Sequence, residues 1–227
     1  NLNEAKATSN EIMADSMRVI IESVLSMYDK LSIKALELIR ERKAREEAEA
    51  KLKKLNKKLE KASVTDQLTN IPNRRYFDNI LKKRLKKAKK EKLYFNLAIF
   101  DIDYFKKLND TYGHARGDEI LQIVGKELRR LSKKTKIKVF RIGGEEFSMI
   151  SVDRREDDFI NQMRVFKNSI EELKIPNINS KVSDFLTISM GVTSRIPTKG
   201  DSIEDLFKKT DEKLYEAKIK GRNNICF

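Results

Sequence analysis

Residues 10–62 carry apolar side chains at alternating spacings of three and four, which is the heptad repeat of a coiled coil. The repeat runs through Met13, Met17, Ile20, Val24, Met27, Leu31, Leu38, Ala48, Leu52, Leu55, Leu59 and Ala62. Four polar residues occupy positions of the same seam, so we expect its middle to be weak: Asn10, Lys34, Glu41 and Arg45. We predict a helical stalk over residues 1–62 that pairs with a second copy. The alternative is one amphipathic helix packed on another domain.

The stalk pattern stops at the polar segment 63–66, which is followed by a proline and a capping residue. Pro72 cannot continue a helix, and the Asn73 side chain can cap the next one. We therefore place a domain boundary at residue 63 and expect one globular domain over residues 63–227.

The periodicity of residues 63–227 switches between helix and strand, which predicts an α/β domain. Helices are predicted at 76–90, 117–131, 157–173 and 203–218, and strands at 93–100, 138–142, 147–152 and 186–194. Strand 93–100 is almost wholly apolar, so we expect it to be buried on both faces. The Gly143-Gly144 pair predicts a compact hairpin between two strands, which makes the sheet a mixed one.

Net charge and the counts of cysteine and histidine limit the kinds of ligand and metal site that the chain can have. A formal charge of +14 favours a phosphate-bearing ligand such as a nucleotide, a nucleic acid or an anionic membrane. The only cysteine is Cys226 and the only histidine is His114, which excludes a disulfide framework and a His-rich or Cys-rich metal site. Eight basic residues between positions 82 and 92 supply much of the charge. We interpret them as a solvated helix face rather than as a nucleic-acid contact.

Two acidic groups stand where ligand sites commonly form. Asp101-Ile102-Asp103 follows the buried strand, and Glu145-Glu146 follows the glycine pair. Mg²⁺ is usually held by one or two carboxylates together with substrate phosphates, and a cation would relieve the repulsion between adjacent glutamates. Either group alone would equally suit an exposed charged turn.

Seven segments follow one another in the order and spacing of a known motif series. They are Asp66-Gln67-Leu68-Thr69, Asn73-Arg74-Arg75, Asp101-Ile102-Asp103-Tyr104-Phe105-Lys106, Asn109-Asp110, Gly113-His114 with Gly117-Asp118, Arg141-Ile142-Gly143-Gly144-Glu145-Glu146-Phe147 and Ala217-Lys218-Ile219-Lys220-Gly221-Arg222-Asn223. Together they resemble the GGDEF diguanylate cyclases across residues 63–227. The third signature position is Glu, which makes this a GGEEF variant.

The resemblance implies a palm-like nucleotidyl cyclase fold behind the coiled-coil helix, and it implies site residues. Mg²⁺, with Mn²⁺ as the alternative, would be held by Asp101, the carbonyl of Ile102 and Glu145. Glu145 and Glu146 would be the catalytic carboxylates at this metal centre, whereas Asp103 would shape the loop.

The same resemblance implies a substrate, GTP, and residues that bind it. The guanine edge would be recognised by Asn109 and Asp118, with His114 near the nucleotide. The triphosphate would be bound by three cations: Lys106, Lys218 and Arg222.

A member of this family condenses two GTP molecules into cyclic di-GMP and two pyrophosphates, by attack of a ribose 3′-hydroxyl on an α-phosphate. Because each domain holds one GTP, two domains must face each other, and paired stalks would hold them close together. We expect a cytoplasmic homodimer with no nucleic-acid partner. We also expect a sensor upstream of residue 1, which could include a membrane anchor. The alternatives are a catalytically silent GGDEF regulatory module and a basic coiled-coil protein that binds nucleic acid.

One departure from the family concerns product inhibition. Many members carry an Arg-x-x-Asp site, ending five residues before the glycine pair, that binds the product. Here Lys134 and Ile137 stand at those two positions. Lysine lacks the planar donor fork of arginine, and isoleucine accepts no hydrogen bond.

We therefore expect weak or absent inhibition by cyclic di-GMP through this site. Titration of the product into an initial-rate assay measures it. Potent non-competitive inhibition that disappears in Lys134→Ala would contradict the prediction.

Overall fold

The computed structural model describes the backbone of residues 2–153 and 155–227, and the side chains other than those of residues 1–12, 14–16, 56–63 and 154. The chain divides into two compact units, Asn1–Leu59 and Glu60–Phe227. Within the described residues, no helix combines the length and the apolar character needed to cross a membrane.

The first helix, α1 (Leu2–Val64), contains the predicted seam. Its large apolar side chains between Met13 and Leu55 are each more than half exposed in the single chain. The seam positions Asn10, Leu59 and Ala62 lie outside the described side chains. Pairing of this helix with a second copy stays a prediction.

A five-stranded sheet forms the centre of the Glu60–Phe227 unit. Its strands are β1 (Tyr94–Ile102), β2 (Lys138–Arg141), β3 (Glu146–Asp153), β4 (Ile188–Arg195) and β5 (Ile225–Cys226). Their order across the sheet is β2-β3-β1-β4-β5. β1 runs antiparallel to β3 and β4, whereas β4 and β5 are parallel. The predicted α/β fold with a mixed sheet is confirmed.

Five helices surround the sheet: α2 (Arg74–Glu91), α3 (Phe105–Tyr112), α4 (His114–Lys134), α5 (Asp157–Glu172) and α6 (Ile203–Ile219). The predicted cap of α2 is confirmed, because the Asn73 side chain accepts a hydrogen bond of 3.1 Å from the Tyr76 backbone N–H. The start of α6 is fixed by a capping box between Ser202 and Asp205.

Strand β1 is buried on both faces, as its apolar sequence predicts. Phe95, Leu97 and Ile99 pack with residues of α2 and α6 on one side of the sheet. The alternate residues Phe100 and Ile102 pack with residues of α3, α4 and α5 on the other side. The carboxyl end of β1 is therefore packed against helices on both faces of the sheet.

The sequence missed two elements and misplaced several boundaries by two or three residues; β1, for example, ends at Ile102 and not at Phe100, so Asp101 lies within the strand. Helix α3 was not predicted, because it has only eight residues and is separated from α4 by a single glycine, Gly113, at φ 84°. Helix α4 begins at His114 and not at Gly117, and β4 begins at Ile188 and not at Leu186. Strand β5 was also missed, since two residues carry no periodic signal.

Helix α6 lies very close to β4 at Gly191. A Cβ atom at this glycine would lie 2.2 Å from both the backbone nitrogen of Leu214 and the backbone oxygen of Thr210. Because those atoms belong to the helix backbone, no side-chain rotation can make room. The small residue thus sets the distance between α6 and the sheet.

Gly191→Ala is expected to destabilise the domain by about 1–3 kcal/mol, the range for an overpacked core. Urea unfolding of this variant and of Gly200→Ala measures the difference, since a Cβ at Gly200 would meet no atom within 4 Å. Equal stability of the two variants would contradict the close contact.

Candidate active site

The two predicted acidic groups meet at one end of the sheet. In the antiparallel register of β1 and β3, Asp101 stands directly opposite Glu146, and Glu145 lies in the turn immediately before β3. Gly143 leaves room for the Glu146 carboxylate in this turn, because a Cβ there would lie 2.4 Å from the Glu146 Oε2 atom. The sheet thus concentrates negative charge at the end of β1.

A cation from α6 already faces this charge. The Lys218 Nζ atom lies 3.0 Å from the Asp101 Oδ2 atom. Burial raises the pKa of Asp101 from 3.8 to about 6. Lys218 opposes this rise, and the nearby charges of Glu145 and Glu146 add to it. One lysine therefore does not neutralise the group, and a further cation would be favourable here.

The Asp103 carboxylate is buried and serves the loop, as expected. It accepts hydrogen bonds from the Thr187 hydroxyl at 2.8 Å, the Ser189 hydroxyl at 2.6 Å and the Asn223 backbone N–H at 3.0 Å. Both carboxylate oxygens of Asp103 therefore accept hydrogen bonds from groups of the protein itself. Asp103 thereby joins the end of β1, the beginning of β4 and the turn after α6.

Arg222 is held beside this loop by an aromatic ring. Its guanidinium carbon lies 4.6 Å from the centre of the Tyr104 ring, and its Nε atom lies 4.0 Å from the Asp103 Oδ1 atom. Tyr104 is itself in the left-handed backbone region, at φ 57°. In the sequence, Tyr104 stands out only as a member of a motif, and its contact with Arg222 was not predicted.

The predicted nucleotide-binding residues lie on the two helices after β1. Asn109 is on α3, and its Oδ1 atom is buried without a hydrogen-bond partner. The amide lies against Gly117, where a Cβ would be 1.9 Å from that oxygen. An orphaned buried acceptor costs free energy, so it marks a place where a ligand donor would be favourable.

The remaining predicted binding residues are exposed. His114 is the first residue of α4, Asp118 lies one turn further along it, and Lys106 is on α3. The structure places them on the same two helices as Asn109. Their contacts with a nucleotide stay predictions.

Arg141 holds the acidic turn in place, a role that the sequence did not reveal. Its Nε and Nη2 atoms donate to the Gly144 carbonyl at 3.0 and 2.7 Å, and its Nη1 lies 2.9 Å from the Asp66 Oδ1 atom. Burial would raise the pKa of Asp66, but hydrogen bonds from Thr69 and Arg141 outweigh it and lower that pKa below 3.8. The one sequence feature that points to this contact is that Asp66 and Arg141 both belong to motif segments of the family.

Comparison with known proteins identifies the class. Residues 63–224 match the family described as diguanylate cyclase, GGDEF domain. The chain belongs to the GGDEF family, as the motif series indicated.

Individual relatives agree with this assignment. The chain is 34% identical over 177 residues to the diguanylate cyclase VdcA of Vibrio cholerae, a match that covers 78% of this chain and 50% of that protein. It is 37% identical over 164 residues to the response regulator PleD of Caulobacter vibrioides, covering 72% and 36%. The chain thus spans half or less of the length of these relatives.

A solved structure resembles both units of the chain. It is the coiled coil and GGDEF domain of DgcB from Caulobacter crescentus in complex with c-di-GMP. The TM-score is 0.72 at 28% sequence identity, and the match covers 83% of this chain and 98% of that one. The expected combination of a helical stalk and a palm-like GGDEF domain is confirmed as a fold.

If Tyr104 orients Arg222, removal of its ring should weaken binding of GTP. Tyr104→Asn removes the ring but tolerates the left-handed backbone, and we expect affinity for GTP to fall roughly threefold to tenfold. Tyr104→Phe keeps the ring and is the matched control. Calorimetric titration with a non-hydrolysable GTP analogue measures both. Equal affinities in Asn and Phe variants would rule out the orienting role.

Proposed function

We propose that the chain is an active diguanylate cyclase that condenses two GTP molecules into cyclic di-GMP and two pyrophosphates. One observation carries the proposal: the pair of Asp101 and Glu146, with Glu145 beside it, faces the cation Lys218 at the end of β1. Phosphoryl transfer needs this combination, because negative charge must be neutralised around the reacting phosphate.

The chemistry of the donor set fits a divalent cation, which the GGDEF diguanylate cyclase family generally uses. Asp101, the Ile102 carbonyl and Glu145 would hold Mg²⁺ or Mn²⁺, with Glu146 adjacent. The described residues include no cluster of three His, Cys, Asp or Glu side chains suited to a metal. Substrate phosphates and water would therefore complete the coordination. When bound, the cation would neutralise charge that develops on the α-phosphoryl group.

The guanine base would be recognised between α3 and α4. The unpartnered Asn109 oxygen can accept a hydrogen bond from a guanine N–H. Asp118 can accept from the N1–H and the amino group of guanine, a donor pair that adenine lacks. His114, at the beginning of α4, would lie near the nucleotide. These contacts would make the site selective for GTP over ATP.

The triphosphate would be bound by cations that already have protein partners. Lys218 contacts Asp101, and Arg222 contacts the Tyr104 ring. We expect the Lys218 ammonium to exchange the Asp101 carboxylate for a phosphate oxygen when GTP enters. Lys106, exposed on α3, would add a third positive charge.

Two domains are needed for two phosphodiester bonds, and the stalk would bring them together. Residues 1–62 would pair in parallel, because both stalks must deliver their domains to the same end. Tethering can raise the local concentration of one domain near the other into the millimolar range. The domain boundary at residue 63, an upstream sensor and a cytoplasmic location remain parts of this proposal.

Purified protein incubated with GTP and Mg²⁺ or Mn²⁺ should form cyclic di-GMP, as detected by mass spectrometry. Glu145→Gln should lower the rate by on the order of 100-fold or more, because it removes a charge that acts on the transition state. Glu172→Gln, an exposed residue at the end of α5, is the matched control.

Two outcomes would count against the proposal. Substantial turnover by folded Glu145→Gln protein would contradict the assigned role of Glu145. GTP binding without product, with either cation, would instead support the catalytically silent alternative.

A further inference from the structure

A loop between α5 and β4 lies against the helix that carries two of the proposed nucleotide-binding residues. An antiparallel bridge between Pro176 and Phe185 pairs the two ends of this loop. Just inside the bridge, the Asn177 backbone N–H donates to the Asp184 carbonyl at 2.8 Å. We call residues 177–184 the supporting loop. Its backbone hydrogen bonds define the shape of its base.

The supporting loop contacts both ends of α3. The Asn177 Nδ2 atom donates to the Asp103 carbonyl at 3.3 Å, immediately before Tyr104, the N-cap residue of α3. The Asn179 Nδ2 atom donates to the Thr111 hydroxyl at 2.7 Å, in the last turn of the helix. The two asparagines therefore hold α3 at points about two turns apart.

Helix α3 depends on such contacts, because its own sequence stabilises it little. It has eight residues, whereas an isolated helix shorter than about 12–15 residues is marginal in water. Its N-cap Tyr104 makes no side-chain cap hydrogen bond, and its buried residues are Phe105 and Leu108. The orientation of α3 is therefore set by tertiary contacts, and the supporting loop supplies polar contacts at both of its ends.

The amide of Asn177 contributes less to stability than its burial suggests. Asn177 is fully buried, and among the described residues its Oδ1 atom has no hydrogen-bond partner. An unpaired buried acceptor destabilises the folded state, and a small apolar side chain would avoid that cost. What the amide adds is the hydrogen bond to the Asp103 carbonyl, which favours a role in placing α3.

Between the two contact points lie Lys106 and Asn109, the α3 residues proposed to bind the triphosphate and guanine. The Asn109 Oδ1 atom occupies the space that a Cβ at Gly117 would fill, so its placement depends on how closely α3 lies against α4. We infer that Asn177 and Asn179 are positioning residues that hold Asn109 in place for guanine and thereby set the preference for GTP over ATP. The inference rests on the guanine site proposed above and adds to it a segment outside the motif series.

Calorimetric titration of the whole chain with non-hydrolysable analogues of GTP and ATP, in the presence of Mg²⁺, tests this inference. In Asn177→Ala combined with Asn179→Ala, the ratio of GTP to ATP affinity should fall roughly threefold to tenfold, the range for loss of one hydrogen bond. A purely structural role would lower the folded fraction and leave the ratio unchanged. Asn96→Ala is the matched control, because it removes another fully buried amide, bonded to Ser151 in β3, and should preserve the ratio.

A double-mutant cycle determines whether the loop acts through Asn109. In an Asn109→Ala background, the two loop substitutions should have no further effect on the ratio. A further fall of the same size would overturn the inference, because the loop would then act on another part of the site. If the doubly substituted chain does not fold, Asn179→Ala alone should still lower the ratio, since its side chain is exposed and contributes no buried packing. An unchanged ratio in that variant also overturns the inference.

These outcomes are separate from product formation. A chain that makes no cyclic di-GMP, yet loses its preference for GTP in the loop variant, refutes the proposed activity and supports the inference. A chain that makes cyclic di-GMP but keeps its full preference in the loop variant does the reverse. An unaltered chain that binds both analogues equally would overturn the guanine site and this inference together.

Discussion

The candidate site depends on the hydrogen bonds that the buried Asp103 carboxylate accepts. A charge removed from water is strongly destabilising unless hydrogen bonds compensate for it. Thr187, Ser189 and the Asn223 backbone supply those bonds, and each comes from a different part of the chain than Asp103 itself. Satisfying one carboxylate therefore fixes the relative positions of the β1 end, β4 and the turn after α6. Of the proposed binding groups, Asp101 and the Ile102 carbonyl belong to the β1 end, Arg222 belongs to the turn after α6, and Lys218 lies at the end of the helix before that turn.

The sequence predicted the fold best where its periodicity was strong. Strand β1 was found because a run of apolar residues is unambiguous at a doubly buried position, and α2 was found because Asn73 supplies a cap. Helix α3 was missed, because a short helix after a residue in the left-handed conformation gives no repeated pattern. The tyrosine at position 104 offers no sign of that conformation, which is imposed by the surrounding contacts.

The binding roles of the site residues stay predictions from the motif resemblance, whereas the contacts between those residues could not be predicted at all. The motif resemblance implied that Asp101 and Glu145-Glu146 lie near one another, and the register of β1 and β3 brings Asp101 opposite Glu146. The resemblance could not reveal that Arg141 connects Gly144 to Asp66, because those two acceptors lie 78 positions apart and meet only in the folded domain. Nor could it reveal that Lys218 contacts Asp101 and that Arg222 lies over the Tyr104 ring. These partners were hidden because they depend on tertiary packing, whereas motifs record only residue type and order.

The last hydrogen bond of the Asp103 carboxylate has a consequence for protein synthesis. Its donor, the backbone of Asn223, is made 120 residues after the acceptor. During translation, β1 and its aspartate emerge from the ribosome long before β4 and the turn after α6. The carboxylate must therefore stay hydrated, and the end of β1 unsealed, until synthesis has passed residue 223. A nascent domain that has folded its helices would still lack this closed contact until the turn after α6 has been made.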